Sequence, residues 1–171
     1  SMARLIFMQD EDDSALKQLE YLMVGGEALP GALVADLNKI TDAHIENMYG
    51  PTETTIWSAT GPATAEQVDL GTPIANTQLY ILDATGQPVP EGVPGELWIG
   101  GEGVTRGYHK RAEQTDDRFR SDPFREGNRI YGTGDLVSRR SDGGLEFLGR
   151  IDNQVKIRGY RIELGEIESR L

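Results

Sequence analysis

The chain has 171 residues, 37 % of them hydrophobic, which suits one domain, or a domain and part of another, around a buried core. Its 28 acidic and 17 basic side chains leave a net charge of −11, which argues against nonspecific attraction to DNA, RNA or an anionic membrane surface. The absence of cysteine excludes disulfides and thiolate metal sites, and no apolar run reaches membrane-spanning length, so the expected location is cytoplasmic.

In chain order, Leu19 to Val24 is mostly apolar and ends in Gly25-Gly26, as a buried strand does when it delivers a loop to a sheet edge. Pro30 suits a helix first turn, with Leu33, Val34, Leu37 and Ile40 at helical spacing, and Ala43 to Met48 reads as a second strand. A right-handed crossover would then bring both strand ends to the edge where open α/β sheets bind ligands. Beyond Gly61 the character changes. Short apolar segments at Gln78–Leu82, Glu96–Gly100, Arg129–Tyr131, Leu136–Arg139 and Leu145–Leu148, separated by Gly, Pro and Asp, predict an antiparallel sheet or small barrel. Asp142-Gly143-Gly144 is the clearest hairpin turn, and Lys110 to Phe119 the one helix-like interruption. Near the end, Val155–Ile157 against Tyr160–Ile162 reads as a short hairpin, with a helical start from Leu164. No internal repeat or low-complexity tract is present.

Four stretches carry candidate chemistry. In Asn47-Met-Tyr-Gly-Pro-Thr-Glu53, Gly50 and Pro51 fix a bend, Tyr49 offers a flat face for a base, and Glu53 offers hard oxygen ligands for a cation. The same residues are compatible with a plain strand-to-loop turn, with Thr52 as a helix cap before acids. In Tyr131-Gly-Thr-Gly-Asp135, the aspartate is either a ligand for a pair of hydroxyls or a turn residue. Apart from these stretches, Gly25-Gly26 allows close approach of main chain to a flat ligand, or simply turns. Arg150 and Asp152 begin a last stretch that runs through Lys156 and Gly159, and by themselves read as a weakly paired surface couple. The fourth, Gly95 to Tyr108, contains Arg106-Gly107-Tyr108, which is assigned a structural role. His44 and His109 lack metal-ligand spacing; His44 is expected to be half-buried on its strand. Lys110, Arg111, Glu113 and Asp116 read as a solvated helix face.

In their order along the chain, Asn47–Glu53, Gly95–Tyr108, Tyr131–Leu136 and Gly149–Glu166 resemble the motifs of the adenylation domains of nonribosomal peptide synthetases, within the adenylate-forming ligases that include acyl-CoA synthetases and luciferases. The resemblance runs from about Leu19 to the last residue. It implies a truncated α/β sheet segment over residues 1–62, ending an N-terminal core, then a distorted antiparallel β-barrel over 63–151. A hinge and the first hairpin and helix of a small C-terminal α+β subdomain would occupy 152–171. The family's glycine-rich phosphate loop should precede this stretch and its catalytic lysine should follow it. On that reading the chain is an internal piece, inactive alone, with exposed sheet edges.

The resemblance also implies roles. ATP would lie with adenine on Tyr49, its exocyclic amine near Asn47, and Gly26, Glu27 and Ala28 as the opposing backbone wall. Asp135 would bind the ribose hydroxyls, with Arg150 near ribose and phosphate. Thr52 and Glu53 would meet phosphate and Mg2+, whose preferred ligands are hard oxygens. Asp152 would be the hinge. Lys156 and Gly159 would lie on the hairpin that enters the site for thioester formation, the glycine leaving room for the phosphopantetheine of a peptidyl carrier domain, beside neighbouring synthetase domains. Met23, Gly25, Met48, Ile56 and Trp57 would supply part of the substrate pocket, resembling that of glycine-activating domains. All five are apolar or small, and the Trp57 indole would fill the volume that a larger side chain needs. The core packing of Trp57, with another small apolar amino acid as substrate, is the alternative. Other readings of the whole are an acyl- or aryl-CoA ligase, or a noncatalytic scaffold or docking module.

Overall fold

The computed structural model describes residues 15–152, 154–157, 160–162 and 167. Its first sheet has the order β1-β2-β3-β4, built from β1 (Tyr21–Gly25), β2 (His44–Tyr49), β3 (Ala59–Pro62) and β4 (Thr72–Pro73). The strand, helix, strand unit expected at the start is present: β1 and β2 pair in parallel, with Gly25 opposite Met48. Between them lies α1 (Gly31–Leu37), whose N-cap is Pro30 in an extended conformation. Helix spacing puts Leu33, Val34 and Leu37 on one buried face, where they join Val24, Leu29, Ile45 and Ala63 in a single apolar cluster. Full burial of each such side chain stabilises by roughly 1.5–3 kcal/mol. β1 is an edge strand, and Tyr21 and Met23 on it are 61 % and 66 % exposed. His44 is exposed rather than half-buried, because strand alternation turns Ile45 inward and leaves the imidazole beside Tyr21 and Glu46.

The second sheet is antiparallel, with the order β5-β6-β8-β7 and β9 paired to β8. Its strands are β5 (Thr77–Leu82), β6 (Gly95–Gly101), β7 (Phe119–Ser121), β8 (Arg129–Arg139) and β9 (Leu145–Arg150). α2 (Ala112–Arg118) interrupts it where the helix-like segment is predicted, and Glu113 and Asp116 on it are exposed. The turn between β8 and β9 is tied by Gly143 N–H to Arg140 O at 2.9 Å. Leu70, Ile81, Leu97, Ile99, Val137 and Leu145 form the core, against which Tyr49 of the first sheet also packs. A hydrogen bond from Leu70 N to Leu145 O, at 2.9 Å, ties β9 to the connection between β3 and β4 of the first sheet.

Where the sequence suggests two short segments, Arg129–Tyr131 and Leu136–Arg139, the structure has one continuous strand, β8. The glycines between them make a bulge and do not end the strand. Gly132 pairs with Trp98 and Leu136 with Glu96, so Thr133, Gly134 and Asp135 stand opposite Leu97 alone.

A last hairpin, β10 (Val155–Ile157) against β11 (Tyr160–Ile162), is antiparallel as expected. The backbone of Lys156 lies in β10, but its side chain, Gly159 and the helical start at Leu164 lie outside the described residues. Among the described residues no helix is long and apolar enough to cross a membrane.

Candidate functional site

The bulge in β8 builds one wall of the site. The Thr133 hydroxyl donates to Leu97 O at 2.7 Å and accepts from Asp135 N at 3.0 Å, while Gly134 N donates to Glu96 Oε1 at 2.9 Å. Asp135 therefore emerges from a sheet interior, 7 % exposed, and is not a turn aspartate. Gly134 has a φ of 72°, and an ideal Cβ there would lie 2.7 Å from Nη2 of Arg150 and 2.8 Å from Oδ2 of Asp152. Only glycine satisfies both the left-handed backbone and that close approach.

Opposite this wall stands the end of β2. The Tyr49 hydroxyl donates to Asp135 Oδ2 at 2.5 Å, and Nη1 of Arg150 donates to Asp135 Oδ1 at 2.7 Å. Arg150 also grips Asp152 through two bonds, Nε to Oδ1 and Nη2 to Oδ2, each 2.7 Å. Nη2 of Arg118 reaches the same Asp152 oxygen at 3.0 Å. The pair is thus a forked, partly buried ion pair within a chain of charges, which differs from a loose surface couple. Burial opposes ionisation of Asp152, but its hydrogen bonds to Arg150 and Arg118 outweigh that and hold its pKa at about 2. Burial, and then the charge of Asp135, push the Tyr49 hydroxyl well above its ordinary range, so it stays a donor.

Tyr49, Asp135 and Arg150 line a cavity of about 520 Å3, together with Gly26, Glu27, Ala28, Asn47 and Met48. The side chain of Asn47 is 6 % exposed as a residue and donates from Nδ2 to Asp69 O at 2.7 Å, which orients the amide. A second hollow of about 240 Å3 shares Gly26, Tyr49, Asp135 and Arg150 and adds Thr52, Ile56 and Trp57. Thr52 begins a 3-10 turn, Thr52–Thr54, whose cap position is Pro51 with no side-chain cap bond. The helix-cap reading of Thr52 is therefore not realised.

Three expected site residues, Glu53, Met23 and Gly25, line neither of these cavities. Glu53 lines neither cavity; it is 6 % exposed, and its Oε1 accepts from the Tyr108 hydroxyl at 2.6 Å. Met23 also lines neither and is largely exposed on the β1 edge. Gly25 lines neither as well, but it sits against Trp57: an ideal Cβ on it would lie 2.6 Å from the indole ring and closer still to Met48 O. Ile56 is 60 % exposed, and it follows Thr55 with a φ of 75°.

Sequence reasoning missed Asp69, Phe147 and Gln154, which also line the larger cavity. Asp69 is fixed by Nη2 of Arg140 at 2.8 Å and by Gly71 N at 3.1 Å. Asp69 and Phe147 lie in none of the four stretches and are brought to the cavity only by tertiary pairing, as where β9 pairs with β8, whereas Gln154 sits unremarked within the stretch from Arg150 through Lys156.

The donor set bears on Mg2+. Among the described residues no group of three or more His, Asp or Glu side chains could enclose a metal ion. A buried carboxylate such as Glu53, beside the hydroxyl-bearing Thr52, suits a cation that takes one or two protein oxygens and completes its shell with phosphate and water. The residues present fit Mg2+ held partly by substrate, and do not build a closed protein cage.

Comparison with known proteins bears on the family of the chain. The family model described as AMP-binding enzyme matches residues 1–109. A linear gramicidin synthase of Brevibacillus parabrevis is 55 % identical over 160 residues, covering 91 % of this chain and 2 % of that protein. A holo NRPS protein containing adenylation and PCP domains, bound to a vinylsulfonamide inhibitor, superposes with a TM-score of 0.88 at 34 % identity, covering 98 % of this chain and 31 % of that one. A holo four-domain nonribosomal peptide synthetase bound to AMP and glycine gives 0.74 at 43 % identity, over 99 % of this chain and 14 % of that one. The chain thus spans a small part of the curated relative and under a third of these two structures. With a family model matching more than half of its length and this fold, the chain belongs to the AMP-binding enzymes, and within them to the adenylation domains of nonribosomal peptide synthetases.

Proposed function

We propose that this chain supplies the nucleotide face of an amino-acid-activating ligase, whose parent joins an amino acid to ATP as aminoacyl-AMP, releases pyrophosphate, and passes the acyl group to a phosphopantetheine thiol. The observation that carries the reading is the meeting of the Tyr49 ring, the Asp135 carboxylate and the Arg150 guanidinium at one cavity walled by Gly26, Glu27 and Ala28. Tyr49 offers a ring face to adenine while its hydroxyl is committed to Asp135. The Asn47 amide, fixed through Nδ2, offers carbonyl chemistry to an exocyclic amine. Each Asp135 oxygen takes one bond from protein, and a carboxylate oxygen has a second lone pair for a ribose hydroxyl.

In the first step an oxygen of the amino acid carboxylate bonds to the α-phosphorus as the bond to pyrophosphate breaks. Arg150 places positive charge beside the nucleotide, and the Thr52 hydroxyl donates toward the phosphates at the smaller hollow. Mg2+, when bound, would neutralise phosphate charge, and its proposed protein carboxylate is Glu53, next to Thr52 in the chain but outside the hollow itself. In the second step a thiolate attacks the acyl carbon and AMP leaves. Lys156 and Gly159 serve that step, after rotation about Asp152. The proposed units are the end of the core at 1–62, the barrel at 63–151 and the hinge with the start of the C-terminal subdomain at 152–171.

Glycine is the proposed substrate. The indole of Trp57 closed over Gly25, with Met48 and Ile56 nearby, fits exclusion of larger side chains, and one similar synthetase structure contains AMP and glycine. Partners are ATP, the amino acid, a peptidyl carrier domain and neighbouring synthetase domains in the cytoplasm, with neither nucleic acid nor membrane. A CoA-ligase reading is not favoured, since the relatives described are peptide synthetases. Pyrophosphate exchange by the full-length protein with a panel of amino, fatty and aryl acids tests the proposal. Exchange with glycine supports it, and exchange confined to fatty or aryl acids overturns it.

A further inference from the structure

We infer that Tyr108 is a positioning residue for Glu53, and that the segment after β6 serves as a clasp on the Thr52–Thr54 turn. The inference rests on the reading of Glu53 as the protein ligand to Mg2+. Three hydrogen bonds join the two loops, although 55 residues separate the aromatic from the acid. Tyr108 OH donates to Glu53 Oε1 at 2.6 Å, Thr105 N donates to Glu53 O at 2.9 Å, and the Thr55 hydroxyl donates to Gly103 O at 2.7 Å. Main chain and side chain of the same glutamate are thus held from one segment of the other sheet.

Tyr108 is itself anchored. Its backbone N donates to Thr115 Oγ1 at 3.0 Å, and that hydroxyl donates to Arg111 O at 2.8 Å at the start of α2. Its ring meets Phe119 edge to face at 5.5 Å, and Phe119 is 4 % exposed in the second sheet. A carboxylate that is almost wholly buried has few rotamers open to it, and a strong donor on one oxygen selects among them. The clasp therefore sets the direction in which Glu53 presents its charge, while Tyr108 itself lines neither cavity. A ligand held by an outer partner loses roughly 10- to 100-fold in metal affinity when that partner is removed.

The test uses the full-length protein, with ATP binding followed by calorimetry across a Mg2+ titration in the absence of amino acid. Tyr108→Phe should raise the Mg2+ concentration for half-maximal ATP binding by about 10-fold or more while leaving AMP binding unchanged. Glu53→Gln should raise it at least as far, and adding Tyr108→Phe to Glu53→Gln should do nothing further. An unchanged Mg2+ requirement in Tyr108→Phe, or losses that multiply in the double variant, overturns the role of Tyr108. An unchanged requirement in Glu53→Gln overturns the reading of Glu53 and the inference with it. Should Tyr108→Phe fail to fold, Thr115→Val, which loosens the Tyr108 anchor without touching Glu53, carries the test: about a 3-fold rise supports the clasp and no change overturns it.

Discussion

Tyr49 and Asp135, 86 residues apart, are joined by a 2.5 Å hydrogen bond that crosses from the first sheet to the second. The bond has two consequences. It fixes the aromatic ring at the cavity wall, and it holds the Asp135 carboxyl between the phenol and the Arg150 guanidinium. Asp135→Asn should lower AMP affinity by roughly 10- to 100-fold, since it removes charge-assisted bonds to ribose and leaves Arg150 without its second carboxylate. Calorimetric titration with AMP measures this, and wild-type affinity would remove Asp135 from the site.

Tyr49→Phe should separate the two jobs of the tyrosine. The ring remains for stacking, but the buried Asp135 loses a donor, so stability should fall by about 1–3 kcal/mol while AMP affinity falls less than in Asp135→Asn. Denaturant midpoints and AMP titrations on the same samples make the comparison.

Gly134→Ala should destabilise by about 1–3 kcal/mol, because the new methyl group meets Arg150 and Asp152 while the backbone stays at positive φ. A melting temperature equal to that of wild type would contradict the account of the bulge.

Asp152 makes an acid-labile contribution. Its folded pKa of about 2 lies below the ordinary 3.8, so its stabilising effect is complete above about pH 4 and is lost as pH falls toward 2. Asp152→Asn should be less stable than wild type at pH 5, and the gap should narrow by pH 3. A gap that widens on acidification would reverse the assignment.

Trp57→Ala should open the space beside Gly25. Discrimination between glycine and larger apolar amino acids in pyrophosphate exchange by the full-length protein should fall by roughly 10- to 200-fold, which is the range that pocket filling supplies. Unaltered discrimination would make Trp57 a core residue.

Much of the site can be read in the chain because local chemistry carries it. Helical spacing of Leu33, Val34 and Leu37 marks α1, the strand before Gly25-Gly26 marks β1, and the aromatic, turn and acid of Tyr49 to Glu53 sit within one short run of the chain. The resemblance of these stretches to those of adenylation domains is what places Tyr49, Asp135 and Arg150 in one functional group before any contact is known, and one cavity is lined by all three. The β8 bulge is less legible, since glycines at 132 and 134 look like breaks in a linear pattern and become a strand irregularity only when β6 pairs alongside.

Local sequence determined the elements and the chemical types at the strand ends, because backbone preference and side-chain periodicity act over a few residues. Tertiary structure decided which atoms meet: that Tyr108 holds Glu53, that Asp69 and Phe147 join the cavity wall, and that Trp57 closes on Gly25. Those contacts depend on strand register and sheet packing between distant segments, and a one-residue slip in register would turn each side chain to the opposite face.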